Sequence, residues 1–338
     1  MAAVYKSIAS SGADYTSLSA AEASIPNSSA DDFTLEYIEA MSDNAACAFS
    51  ITGFTGTILV TVAAAYRCNG AVYGSHAELN YTTNNTTTGL SVTSVPNVTV
   101  QHLRIVRNTT AAASALLCTT SDNVKILNCV IVRRCGAGGG SPFYFNDCTS
   151  VVYAGNNLVI TGFNLVGTTL CAFYRAGATT STKVYRNKFL HAAGAAKAIV
   201  ACWGNAAVDA QQNVVIISAG TVANGGYDTD FGGAFHANSD SNVSSAAADC
   251  PGTNANNSET SADVFTDLTL NTENLFYPSR AKMQEQHAGN DLSATVGTVD
   301  NKGSSIGEWY PGSDYTLAAA VAAVDSGRGL RLGMRLGL

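Results

Sequence analysis

Five stretches share one spacing: Val98-Thr-Val-Gln-His-Leu-Arg-Ile105, Val124-Lys-Ile-Leu-Asn-Cys-Val-Ile131, Val151-Val-Tyr-Ala-Gly-Asn-Asn-Leu158, Thr182-Lys-Val-Tyr-Arg-Asn-Lys-Phe189 and Val208-Asp-Ala-Gln-Gln-Asn-Val-Val215. Each opens on an alternating pair, skips two residues to a third position, and skips one more to close on an apolar side chain. Their starts step by 26, 27, 31 and 26 residues. Alternate residues of a strand face one side. The extra residue inside each copy is then a bend that restores the inward phase, so every copy reads as strand, bend, strand. A period in the twenties is one coil of a solenoid, which buries its apolar face only by stacking on its neighbours. The segments between copies, such as Gly136-Ala-Gly-Gly-Gly and Gly177-Ala-Thr-Thr-Ser, are turn and short-strand material. A globular α/β fold would place helices there. The expected fold is all-β: a right-handed parallel β-helix solenoid with short helical caps at its ends.

The third position runs Leu103, Cys129, Asn156, Asn187, Asn213. Two readings of the asparagines stand side by side. One is a stacked amide ladder, each side chain bonding the next coil and sparing a buried polar group about 1–3 kcal/mol. The other is a row of turn residues chosen for left-handed backbone angles.

Outward from these coils the pattern weakens. Val72, Gly74, Ala77 and Leu79 suggest an earlier coil, and Phe49 to Val62 alternates like strand. The segment near 221–262 is rich in Gly, Asn, Ser and Asp and reads as a long loop excursion. Val264 to Leu270 reads as a further strand. The division is therefore a cap region at 1–45, the solenoid at 46–270 and a C-terminal region at 271–338. A solenoid needs capped ends to avoid edge-to-edge aggregation. Thr16 or Ser17 can N-cap a short helix through Ala20 to Ala23, with Leu18, Ala21 and Ile25 plugging the first coil. A second alanine-rich helix is expected after Asp314. The tail carries Arg328, Leu330, Arg331, Leu332, Met334, Arg335, Leu336 and Leu338, with apolar residues alternating against Arg and Gly. It reads as a strand that docks on a neighbouring subunit, or as a free end.

Only 13% of the 338 residues are charged, and the formal net charge is −7. Between Asn97 and Gly220 three acids face ten bases, so the acidity sits at the two ends. A basic middle can bind an anion or pair with the chain's own ends. No nucleic-acid motif accompanies it, so no specific nucleic-acid partner is expected. The nine cysteines form no CxxC pair and read as reduced, buried hydrophobes, with no metal or other cofactor implied. Met1-Ala-Ala-Val-Tyr-Lys lacks the apolar core of a signal peptide, and no run reaches about 18 apolar residues, so no membrane partner is expected.

Catalysis on such a scaffold needs converging carboxylates or a base. The coils hold only Asp122, Asp147 and Asp209, far apart. The remaining candidates are Asp228, Asp230 and His236, with Asp240 beyond, in a glycine-rich stretch that otherwise reads as a solvated loop. His102 and His191 read as solvent-facing or locally bonded. The expectation is a protein that is not an enzyme.

The phrasing Ser121-Asp-Asn-Val-Lys-Ile-Leu-Asn-Cys and Val184-Tyr-Arg-Asn-Lys-Phe resembles the pectate-lyase-like family of right-handed parallel β-helices, over roughly residues 95–217. The paired aspartates and Gly-His-Gly of polygalacturonases are missing. Gly12-Ala-Asp-Tyr-Thr-Ser-Leu-Ser-Ala-Ala-Glu-Ala resembles the N-terminal cap of β-helix proteins of tailed bacteriophages. Ser305-Ile-Gly-Glu-Trp-Tyr resembles the phrase that often closes them, with Ser305 where an Asp is common. The resemblance implies a virion protein made in the host cytoplasm: a capsid decoration or cement protein, often a homotrimer, seated on the major capsid protein. Its alternative is a tailspike or fibre that binds, or degrades, a host surface glycan. A polysaccharide lyase outside any virion is a third reading.

Overall fold

The computed structural model describes residues 1–67, 76–81, 89–108, 114–134, 143–155, 157–161, 173–176, 181–191, 200–203, 207–217, 227–231, 234–260 and 292–296. It is a parallel β-solenoid with three sheets. The first stacks Ala3–Ile8, Asp32–Tyr37, Ile58–Val62, Val98–Gln101, Val124–Leu127, Ser150–Ala154, Ser181–Tyr185 and Val208–Gln211. The second stacks Ser42–Asp43, Glu78–Tyr81, Arg104–Asn108, Val130–Arg134, Asn157–Thr161, Lys188–His191, Val214–Ile217 and Val243–Ser244. The third stacks Cys47–Phe49, Leu90–Thr93, Leu116–Thr119, Phe143–Asn146, Phe173–Ala176, Val200–Trp203 and Tyr227–Phe231.

The register joins like to like. Val124 pairs with Val151, Val151 with Thr182 and Thr182 with Val208, while Ile126, Tyr153, Val184 and Ala210 form the next inward column. All of these side chains are buried. The five repeats therefore occupy equivalent places on successive coils. The earlier coil differs from its sequence reading. Ile58 and Val60 pair with Val98 and Val100, and Leu79 pairs with Ile105. Residues 63–77 intervene between the two strands, which broke the spacing. Val72 and Gly74 lie outside the described residues.

The bend has a fixed backbone signature. His102, Asn128, Gly155, Arg186, Gln212 and Ser241 each adopt positive φ, between 53° and 67°. Each sits immediately before the third position. Gly155 is needed there for a second reason: a Cβ would come within 2.2 Å of Asn128 Oδ1 on the adjacent coil. His102 is buried at this bend, not solvent-facing; the side chain of His191 lies outside the described residues.

The third position itself carries an amide ladder. Asn187 Nδ2 donates to Asn213 Oδ1 at 3.0 Å, and Asn213 Nδ2 to Asn242 Oδ1 at 3.0 Å. The backbone N–H groups of Asn187 and Asn213 donate to the same two oxygens. The other N–H of each amide meets an inward carbonyl of the preceding coil: Tyr153, Val184 and Ala210 in turn. Asn242, unread in the sequence, ends the ladder by also donating to Pro251 O. Asn156 lies outside the described residues. Left-handed angles and the ladder thus occupy adjacent columns. Towards the N-terminal end the third position turns apolar, through Cys129 and Leu103 to Ala77. Cys129 Sγ still lies 3.7 Å from Val100 O, in the same carbonyl column.

The stretch near 221–262 is not simply a loop excursion. Tyr227–Phe231 joins the third sheet and Val243–Ser244 the second. Phe235 and Asp240 bridge to Val208 and Gln211 of the first. The coil closes with polar buried residues, Ser239, Ser241 and Asn242, so no apolar alternation announced it.

At the other end Leu18–Ala23 is helical, with Ser17 Oγ accepting from Ala20 N. Leu18, Ala21 and Ile25 enter the core. Asp43, itself buried, accepts from Leu18 N at 2.7 Å, Tyr37 Oη at 2.9 Å and Ala45 N at 3.0 Å. The helix is thereby tied to the first coil. Stacking begins at Ala3, inside the stretch read as cap. Cys47, Cys118, Cys129, Cys148 and Cys250 are free thiols, and burial pushes Cys118 and Cys148 upward in pKa.

Asn213→Leu should cost about 3 kcal/mol, because it strands polar groups of both neighbouring coils, although Leu103 is native at the same position four coils away. A shift in the urea midpoint at unchanged slope would measure it. A loss under about 0.5 kcal/mol would deny the ladder its role.

Candidate functional site

The most chemically equipped surface is the outer face of the first sheet at its C-terminal end. Strand alternation turns Val208 and Ala210 inward, so Asp209 and Gln211 face outward. Lys183 pairs with Asp209, and Tyr185 with Gln211. The bridges carry both rows one coil further, to the neighbourhood of His236 and to Asp240. Tyr185 Oη donates a hydrogen bond to Asp209 Oδ2. Gln211 Nε2 donates to Asp209 Oδ1 at 3.0 Å. Burial, then the bond to Asp209 and its charge, push the Tyr185 phenol well above the ordinary range.

Asp240 is held from the chain that follows. Its Oδ1 accepts from Asn254 N at 2.8 Å and Thr253 Oγ1 at 3.2 Å, and its Oδ2 from Asn254 Nδ2 at 2.9 Å. Burial pulls its pKa up, but these bonds together with the Ser241 N–H outweigh that and hold it below the usual carboxylate value. His236 is exposed, and its Nδ1 accepts from Asn238 N. Beside this row runs a groove of about 440 Å³ lined by Gln211, Ala237, Asn238, Ser239, Asp240, Thr253 and Leu292. Leu292 also clusters with Val152, Ala154 and Tyr185, so this residue lies over the first sheet.

The structure does not bring the three sequence candidates to one sheet. Asp228 and Asp230 lie in the third-sheet strand Tyr227–Phe231, whose pairing with Val200–Trp203 is irregular. His236 follows Phe235 at the first sheet. Asp209 and Asp240 were both named from the sequence; what sequence reading missed is that Asp209 sits beside Gln211 and that Asp240 follows one coil on. The signal was available only through the 29-residue coil step from Gln211 to Asp240, which no apolar repeat marked. The docking residues Arg328, Leu330, Arg331, Leu332, Met334, Arg335, Leu336 and Leu338 lie outside the described residues.

A second polar cluster sits on the second sheet. Glu78 Oε2 receives Arg104 Nη1 at 2.9 Å, while its Oε1 accepts from Asn80 Nδ2 and Ser42 Oγ. His76 Nε2 lies 2.8 Å from the same guanidinium nitrogen and, facing a pure donor, accepts from it. Burial raises the Glu78 pKa, but the polar surroundings prevail and lower it: His76, whose Nε2 lies 3.7 Å from Oε2, the Arg104 charge, and the bonds from Asn80 and Ser42. Three successive coils meet in this cluster, so part of the basic middle pairs with the chain's own acidic end. Among the described residues, no three His, Cys, Asp or Glu side chains gather as a metal site, and no helix is long and apolar enough to cross a membrane.

No protein-family model, curated protein or solved structure matches this chain.

Because the folded-state pKa of Glu78 is depressed, its contribution is present above the unfolded value of about 4.3 and is lost as pH falls through the folded one. Glu78→Gln should therefore destabilise the protein by about 2 kcal/mol near neutral pH. The gap between wild type and variant should shrink below about pH 4 in urea titrations. A pH-independent gap would refute this assignment.

Proposed function

We propose that the protein is a non-catalytic structural component of a tailed-phage virion, a capsid decoration or cement protein. It would sit on the capsid surface as an oligomer, a trimer by resemblance, against the major capsid protein. The observation that supports this reading is the use made of the carboxylates. Asp43, Glu78, Asp209 and Asp240 each accept two or more hydrogen bonds from the protein's own groups. A general acid needs a pKa raised towards the working pH and a free path to substrate. Glu78 and Asp240 are instead held low. Several of these bonds join neighbouring coils and stiffen the rod along its axis, which suits a clamp between larger subunits. The resemblance of both ends to phage β-helix proteins supplies the virion context.

A tailspike or fibre role is the second reading, favoured by the polar groove at Gln211 and Asp240. Quantitative mass spectrometry of purified particles separates the two. Copy numbers comparable to the major shell protein are expected for decoration. A handful per particle would transfer the protein to the tail, and its absence from particles would overturn both.

A further inference from the structure

We infer that the outer edge of the strand Ala3–Ile8 receives residues 328–338 of this chain as an added strand. The three sheets end differently on the N-terminal side of the solenoid. The helix Leu18–Ala23 packs on Cys47–Phe49, the edge of the third sheet, and Asp43, on the two-residue edge of the second, is bonded to the start of the same helix. The first sheet ends on the six residues Ala3–Ile8. Ala2 O accepts from Asp32 N and Ile8 O from Ile38 N, so the backbone groups of even-numbered residues face the second strand and those of odd-numbered residues face away. Ser7 is closed off on that outer side: its N–H donates to Asp14 Oδ2 at 2.8 Å and its carbonyl accepts from Tyr15 N at 3.1 Å. The N–H and C=O groups of Ala3 and Tyr5 have no hydrogen-bond partner among the described residues. Both residues are exposed, Tyr5 by 56%. Two donors and two acceptors in line form a site for strand addition.

Charge and pattern name the occupant. Carboxylates flank the open stretch: Asp31 accepts from Ala2 N at 2.7 Å, and Asp14 from Ser7 N. Residues 1–67 hold seven acids against two bases. A second copy pairing through this same edge would bring two such ends together, which like charge opposes. Residues 328–338 carry three arginines, no acid and no proline, so no ladder donor is missing from the segment. Its apolar residues recur at every second position from Leu330 to Leu338. In an added strand that row extends the inward column of Val4, which packs on the core beside Phe33, and Arg331 and Arg335 fall on the outward face. Their four-residue spacing matches that of Asp32 and Glu36, which hold the outward face of Asp32–Tyr37. The edge can take such a strand on a capsid, on a tail or on neither, so the inference does not rest on the virion reading.

The test combines amide hydrogen exchange of the full native chain with photo-cross-linking of the full chain carrying p-benzoylphenylalanine in place of Tyr5. Cross-links mapped by peptide mass spectrometry should fall within residues 328–338, and links within one chain or between copies both seat that segment on the edge. The amides of Ala3 and Tyr5 should be protected in the native chain. They should exchange about tenfold faster in Leu332→Asp and in the double variant Arg331→Glu, Arg335→Glu. The Ser7 amide, held by Asp14, should not change. Exchange of the native chain needs no variant, so a substitution that fails to fold cannot rescue the idea. Unprotected amides at Ala3 and Tyr5 in the native chain, cross-links confined to other segments or to residues 1–8 of a second copy, or protection indifferent to the tail substitutions would each overturn it.

Discussion

In-register stacking of one coil on the next is the constraint on which everything else rests. Parallel strands bond only to their neighbours above and below, so every column of the solenoid must hold side chains that tolerate copies of themselves. Apolar columns satisfy this at once, as Ile126, Tyr153 and Val184 do on the first sheet. A polar column satisfies it only if each member is donor to one neighbour and acceptor from the other. Asparagine has that symmetry. Asn187, Asn213 and Asn242 use it, with the backbone N–H groups of Asn187 and Asn213 joining the same oxygens. Asn123 and Asn97 repeat the device at another corner, at 3.0 Å.

The same constraint explains where the acids go. An outward column is free of the stacking rule, yet the charges on it still need partners when neighbouring chain covers them. Glu78 meets Arg104 one coil away, and Asp209 meets Tyr185 one coil back. Their hydrogen bonds run along the axis, so these two carboxylates serve cohesion between coils. Asp240 differs in partner: it is clasped by the returning residues Thr253 and Asn254, which places its carboxylate at the rim of a groove. Among the described residues, the buried amide oxygens of Gln211 and Asn80 have no hydrogen-bond partner.

The two ends solve different problems. At the N-terminal end Asp43 receives the first N–H of the helix Leu18–Ala23, so a buried carboxylate holds the plug over the apolar core. Towards the C-terminal end the interior becomes polar, with Ser239, Ser241, Asn242 and Ser244 all buried. A coil lined by hydrogen-bonding side chains can stack as firmly as an apolar one, provided each group finds its partner.

The sequence by itself determined the solenoid, because a spacing of strand, bend, strand repeated at 26 to 31 residues has no other way to bury its apolar faces. It also determined the inward columns from Val98 to Val215 and the helix at Leu18. Only the tertiary structure decided which columns meet. It set the ladder's last rung at Asn242, the left-handed bend one residue before the amides, and Ile58–Val62 as the partner of Val98–Gln101 across an insertion. It also brought Gln211 beside Asp240 and His76 beside Arg104. These depend on coil lengths that vary, and a polar residue carries no periodic signal of its own. Its partner is fixed by the stacking, which acts through backbone bonds that sequence patterns do not display.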